Sequence, residues 1–236
     1  MKTNSKETNF KLLATLSAIF ATLSVTSIAV GYKLIEVGNY FLLSGAAFIL
    51  PFRYLLGDVL TEVYGYKISL QLVKNLAVCC LLFSLLVTII INLPSPANWK
   101  YEPAFQYVLG GSLKITITAL LSMFIGVYMN LLLYSKMKIA LKVNSFFIKA
   151  FVASSAGELI QYTIVLSILY YSQLSLQKLF VLIFSDFMFQ VICISLLMPL
   201  AHFVVILIRK IEGIDMKLQF NPFKSDAADH FDKIAD

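Results

Sequence analysis

A chain of 236 residues that is 59% hydrophobic and only 14% charged has too little polar surface to cover a soluble globule. Its net charge of +6, from 19 Lys and Arg against 13 acids, is distributed around apolar runs and reads as membrane topology rather than a nucleic-acid surface. The expectation is an all-α, polytopic membrane protein whose first partner is the lipid bilayer.

The first apolar run, Leu12 to Val30, follows Lys2, Lys6 and Lys11. It is longer than the apolar part of a typical signal peptide and no small-residue cleavage site follows, so it is read as the first transmembrane helix. Five more runs are long enough to span: Phe41 to Glu62, Leu70 to Leu93, Leu113 to Tyr134, Ala150 to Tyr171 and the over-long Leu179 to Ile208. Between the third and fourth, Pro94 to Gly111 carries three prolines with Trp99, Tyr101 and Tyr107, the composition of an interfacial loop. A six-helix transmembrane domain over residues 1–210 and a polar cytoplasmic tail over 211–236 are therefore predicted.

With the N-terminus inside, three groups of basic residues join the first three lysines on the cytoplasmic side. They are Lys67 and Lys74; Lys136, Lys138, Lys142 and Lys149; and Arg209, Lys210, Lys217, Lys224 and Lys233. The opposite loops hold Lys33, Lys100 and Lys178, so the positive-inside rule places both termini in the cytoplasm. In that topology helices one to three run opposite to helices four to six, as a 3+3 inverted repeat requires. Gly57-Asp58 and Gly157-Glu158 fall in the middle helix of each half; duplication and coincidence both account for that pair.

The second run, GAAFILPFRYLLGDVLTEVYGYK, combines Pro51 with Arg53, Asp58 and Glu62. Ionisable groups inside a span must face protein or water, because exposing one to lipid costs about 2.5–3.5 kcal/mol on insertion scales. Asp58 and Glu62 share a helix face, whereas Arg53 is offset from Asp58 by about 140° on an unbroken helix and is expected to face another helix or to snorkel. Glu62 lies near the cytoplasmic helix end, where it either pairs with Lys67 or joins Asp58 in the cavity.

The fifth run places Glu158 and Gln161 on one face beside Ser154, Ser155 and Gly157, and the sixth places Asp186 and Gln190 four residues apart. Ser122 and Asn130 are secondary polar groups of the fourth. The three cysteines, Cys79, Cys80 and Cys193, lie within apolar runs and indicate neither a disulfide framework nor a metal site. No nucleophile elbow, zinc-protease motif or phosphate loop is present, and His202 and His230 are isolated. No enzyme activity, cofactor or metal is expected; acids from three helices facing one interior point to transport of a polar solute.

The run LPFRYLLGDVLTEVYGYK resembles the signature helix of the queuosine-precursor transporter family, also called the vitamin-uptake transporter family, with Pro51, Asp58, Tyr64 and Gly65 in matching order and spacing. The resemblance continues through LKITITALLSMFIGVYMN, on Lys114, Ser122 and Gly126, and through SSAGELIQYT and FSDFMFQVICISLLMPL. It departs at Gln161, where members often carry Asp, at Gln190, where they often carry Lys, and near Asn130, where an acid is expected. An amide pair between Gln161 and Gln190 would replace the ion pair.

The resemblance implies a bacterial inner-membrane importer of 7-deazaguanines: the cyano or aminomethyl precursor of queuosine, or queuine, salvaged for tRNA modification. It would work alone or as a homodimer. The implied substrate-binding residues are Asp58, Glu158, Gln161, Gln190, Asp186, Asn130, Ser122 and Glu62. The N1–H and 2-amino group of a guanine-like edge would donate to Asp58 or Glu158, and aromatic residues would stack on the ring. A substrate-capturing subunit of an ATP-driven system is the alternative, its docking ridge being Ala14 and Ala18 on the first helix.

Overall fold

The computed structural model describes residues 10–38, 41–96, 98–139 and 146–213. Seven α-helices occur among them: α1 (Leu13–Val30), α2 (Leu50–Tyr64), α3 (Tyr66–Ile91), α4 (Glu102–Leu109), α5 (Ser112–Ile139), α6 (Phe146–Tyr170) and α7 (Leu176–Glu212). Two short strands, β1 (Leu34–Val37) and β2 (Phe41–Ser44), pair antiparallel between α1 and α2, with Leu34 opposite Ser44 and Val37 opposite Phe41. Most of the predicted tail, residues 214–236, lies outside the described residues.

Four stretches of the described residues are long and apolar enough to cross a membrane: Leu13–Val30, Ile68–Ile91, Glu102–Gly126 and Leu176–Glu212. Their outward faces carry large apolar side chains, among them Val78 and Ile89 on α3 and Leu196 and Phe203 on α7, all exposed. Such surface suits lipid and would drive aggregation in water. The 37-residue α7 is about 55 Å long at about 1.5 Å per residue, well beyond a hydrocarbon core of about 30 Å.

The second predicted span is corrected. Residues 41–49 are not α-helical: β2 leads into a 3-10 helix at Gly45–Phe48, and α2 starts only at Leu50. Pro51 sits in the first turn of α2, where its missing N–H costs nothing, so it starts a helix rather than kinking one. The backbone groups this irregular segment would otherwise leave bare are met by protein, as they must be away from water. Gly45 donates its N–H to the Lys33 carbonyl at 2.6 Å, and Ala47 N–H donates to Ser44 Oγ at 3.3 Å. A Cβ on Gly45 would meet the Val30 carbonyl oxygen at 2.3 Å, so only glycine lets the hairpin lie this close to α1.

The predicted interfacial loop also contains a helix. Pro103 occupies the first turn of α4, the position where proline is favoured, and Tyr101, Phe105 and Tyr107 remain exposed. At the other end of α2, Gly65 turns the chain into α3 with φ +83°, a conformation glycine adopts without strain.

Inside, Phe20 and Ile28 of α1, Val59 and Leu60 of α2, Leu182 and Ile208 of α7 belong to one buried cluster. Small and hydroxyl residues bring the remaining helices together. Ser84 of α3 shares a hydrogen bond of 2.5 Å with Thr116 of α5, both buried. On the α5–α6 seam, a Cβ on Gly126 would sit 2.9 Å from the Gly157 carbonyl oxygen, so the two helices pass almost backbone to backbone.

Candidate substrate cavity

The middle of α2 supplies a stripe of residues spaced three and four apart: Tyr54, Gly57, Asp58 and Thr61. This stripe faces a cavity of about 630 Å³, counted to its open mouth, whose other walls are Phe20 of α1, Ser69 and Leu72 of α3 and Met123 of α5. A second space, larger when counted out to its mouth at about 990 Å³ but with less enclosed room than the first, lies against α1, α3, α5 and α6, and includes Ser44 and Ala46 from the hairpin side. Arg53, Tyr54, Val73, Leu76 and Met123 line both spaces, so Arg53 and Tyr54 stand where the two adjoin.

The Arg53 guanidinium carbon lies 4.5 Å from the centre of the Tyr54 ring, a cation–π contact. Tyr54 in turn donates its hydroxyl hydrogen to Gln161 Oε1 of α6 at 3.2 Å, joining α2 to α6. Gln161 and Tyr162 both line the larger space, and Glu158, one turn earlier on α6, is half-buried. Glu158 is close enough to Asp58 and Arg53 to interact with both electrostatically.

The expectation for Arg53 is thereby corrected. A 140° offset would turn it away from Asp58, yet both line the smaller space, because the cavity wraps a wide arc of α2 and an arginine reaches round its helix. Tyr54, the link between the two halves of the site, was missed; its i, i+4 spacing from Asp58 was the available signal.

The remaining predicted residues are placed as follows. Asp186 is fully buried outside both cavity linings and accepts two bonds from Ser44, from its N–H at 2.9 Å and from its hydroxyl at 2.6 Å. Gln190 is also fully buried, accepts the Tyr162 hydroxyl through Oε1, and leaves Nε2 without a partner among the described residues. The expected Gln161–Gln190 amide pair is therefore replaced by two tyrosine–glutamine bonds, Tyr54 to Gln161 and Tyr162 to Gln190. Each tyrosine hydroxyl reaches its amide from another helix, Tyr54 of α2 to α6 and Tyr162 of α6 to α7, and takes the oxygen that the amide pair would have used.

Ser122 is buried and donates to the Ala119 carbonyl of its own helix at 3.0 Å. Glu62 forms an ion pair of 2.7 Å with Arg209 of α7 and lines neither space; the expected pairing with Lys67 falls on a side chain outside the described residues. Asn130 falls within α5, but its side chain likewise lies outside them. Among the described residues no group of three His, Cys, Asp or Glu is placed to hold a metal ion.

What this arrangement can do chemically is hold a flat polar molecule. It offers a carboxylate, a guanidinium, an amide and phenolic rings around a largely apolar space, the composition of a small-molecule site. A protein-family model described as "Putative vitamin uptake transporter" matches residues 44–204, which contain the α2 stripe, the α5–α6 seam and most of α7. Neither the curated proteins nor the solved structures yield a match.

Proposed function

The chain belongs to the vitamin uptake transporter family, and on that premise we propose that it imports queuosine precursors across a bacterial inner membrane. In this reading α1, α2, α3, α5, α6 and α7 form a six-helix bundle with both termini in the cytoplasm, working alone or as a homodimer. The hairpin and α2 together make one crossing. The bundle divides into two oppositely oriented halves, α1–α3 and α5–α7, with Asp58 and Glu158 in the central helix of each.

The observation that carries the reading is the placing of Asp58 on the same cavity wall as Tyr54 and Arg53, with Gln161 bonded across to Tyr54 from α6. A 7-deazaguanine presents two donors in line, N1–H and the 2-amino group, which a carboxylate accepts as a bidentate pair. Asp58, exposed within the smaller space, is the first choice for that role, and Glu158 the second. Tyr54 and Tyr162 offer faces for stacking on the bicyclic ring, and the Gln161 amide N–H₂ is available to an acceptor on the cargo. Because Gln161 Oε1 is already engaged with Tyr54, cargo binding and the link between α2 and α6 would be coupled.

Uptake of labelled precursor by cells unable to synthesise it tests the proposal. Asp58→Asn and Glu158→Gln keep size and shape but remove the charged acceptor, and Asp58→Asn is expected to lower uptake by about tenfold or more, the worth of a charge-assisted hydrogen bond. Uptake at the wild-type rate with both substitutions together would sink the site assignment.

A further inference from the structure

Arg53 stands out among the cavity residues because its charge is not cancelled by contact. It is the one charged side chain among those lining the larger space, and Asp58 joins it only in the smaller. Among the described residues it makes no ion pair within 4.0 Å; the single such pair is Arg209–Glu62, at the other end of α2. Glu158 acts on it only from beyond contact distance. Within the protein the guanidinium is engaged by the neighbouring Tyr54, but one in the interior of a membrane bundle is expensive to leave without an anionic partner in contact, and its planar fork of five donors is built for two acceptors side by side. The start of α2 adds to the same sign: Leu50, its first residue, also lines the larger space, and a helix N-terminus carries partial positive charge.

We propose that Arg53 is the specificity-determining residue of the cavity, anchoring the acceptor edge of a neutral or anionic planar cargo and turning away cationic ones. The inference rests on the transport reading above and refines it. Asp58 and Arg53 then read opposite edges of one molecule, the carboxylate taking ring donors and the guanidinium taking the ring carbonyl with a neighbouring acceptor. On a 7-deazaguanine that neighbour is the substituent at carbon 7. A nitrile there is an acceptor and completes the fork; an aminomethyl group is protonated at neutral pH and meets a like charge. The cavity therefore selects the cyano form over the aminomethyl form.

The experiment is thermal stabilisation of the purified full-length protein in detergent, because only a ligand of the folded state raises the melting temperature. Four probes are titrated: 7-cyano-7-deazaguanine, its aminomethyl counterpart, guanine, and nicotinate as a planar anion. For the wild type, the cyano form is expected to reach half-stabilisation at a concentration about tenfold or more below the aminomethyl form, as the loss of one bidentate contact implies. Arg53→Gln should abolish that preference. Arg53→Lys should keep the discrimination against the aminomethyl cation while weakening the cyano form, since it retains the charge and loses the fork.

Equal or tighter binding of the aminomethyl form to the wild type overturns the inference while leaving deazaguanine transport standing, and so does an unchanged preference in Arg53→Gln. Stabilisation by nicotinate alone, lost in Arg53→Gln, supports the role of Arg53 and overturns the deazaguanine reading. Silence from all four probes counts against both. Unliganded melting of the two variants identifies any that fail to fold, and either one that folds carries the test.

Discussion

The two ends of α7 are both clamped to the α1–α2 region, by different means. At the hairpin end the clamp is dry: the fully buried Asp186 carboxylate takes both donors of Ser44, and Tyr170 at the end of the preceding α6, also fully buried, donates to the Gly31 carbonyl at 2.7 Å. At the other end the clamp is wet. Arg209 is 9% exposed but its partner Glu62 is 54% exposed, and the half-buried Glu212 accepts the backbone N–H groups of Lys11 and Leu12 and the Tyr64 hydroxyl, each at 2.8 Å. Glu212 thus caps the start of α1, where an anion is favoured by orphan donors and by the helix dipole. Buried bonds to a charge are strong and costly to break, whereas exposed pairs are screened and worth little. The wet end should therefore loosen first, which is the asymmetry a transporter needs if one side of its cavity is to open before the other.

The largest effect is expected at the dry end. Asp186→Ala leaves the Ser44 N–H and hydroxyl buried without an acceptor and should cost about 3 kcal/mol or more, read as a lowered melting temperature in detergent. Asp186→Asn, whose amide can both accept from Ser44 N–H and donate to its hydroxyl, should recover most of that loss. At the wet end Glu212→Ala removes three hydrogen bonds from groups that water can partly replace, and about 1–2 kcal/mol is the expected loss. If Glu212→Ala lowered the melting temperature more than Asp186→Ala, the contrast between the ends would be wrong. The smallest effect is that of Glu62→Gln. Arg209 still bonds the Glu62 carbonyl at 2.7 Å, so less than about 1 kcal/mol should be lost, and added salt should erode even that difference.

Much of this architecture was legible in the chain. Five of the predicted apolar runs coincide with the helices α1, α3, α5, α6 and α7 to within about five residues, because a long apolar run is a local signal; of these, α1, α3, the first half of α5 and α7 fall in the stretches long and apolar enough to cross a membrane. The second span was misread for a physical reason. FLLSGAAFIL is as apolar as a helix, and only pairing with β1, a tertiary fact, holds its first four residues extended. Pro51 and Pro103 repeat the lesson. Proline inside an apolar run or a loop reads as a helix breaker, yet each of these sits in a helix's first turn, where proline fits.

The candidate site was legible on α2 and less so elsewhere. Helical spacing identifies which residues of one helix share a face; it paired Asp58 with Glu62, whereas the cavity wall holds Asp58 with Tyr54 and Thr61. It does not say what stands opposite. Asp186 and Gln190 share a face as expected, but that face meets Ser44 and Tyr162 rather than the cavity. Glu62 had a basic neighbour close in sequence and found Arg209 from 147 positions away. Arg53 was set aside on helix geometry alone, which ignores how far a long side chain reaches and how wide the cavity is.

Transport by this chain is the central claim, and uptake by the purified protein in liposomes measures it most directly. With no ATP and no other protein present, the account predicts that labelled 7-cyano-7-deazaguanine enters proteoliposomes faster than empty vesicles and that Asp58→Asn slows the entry. Entry no faster than into empty vesicles would contradict it.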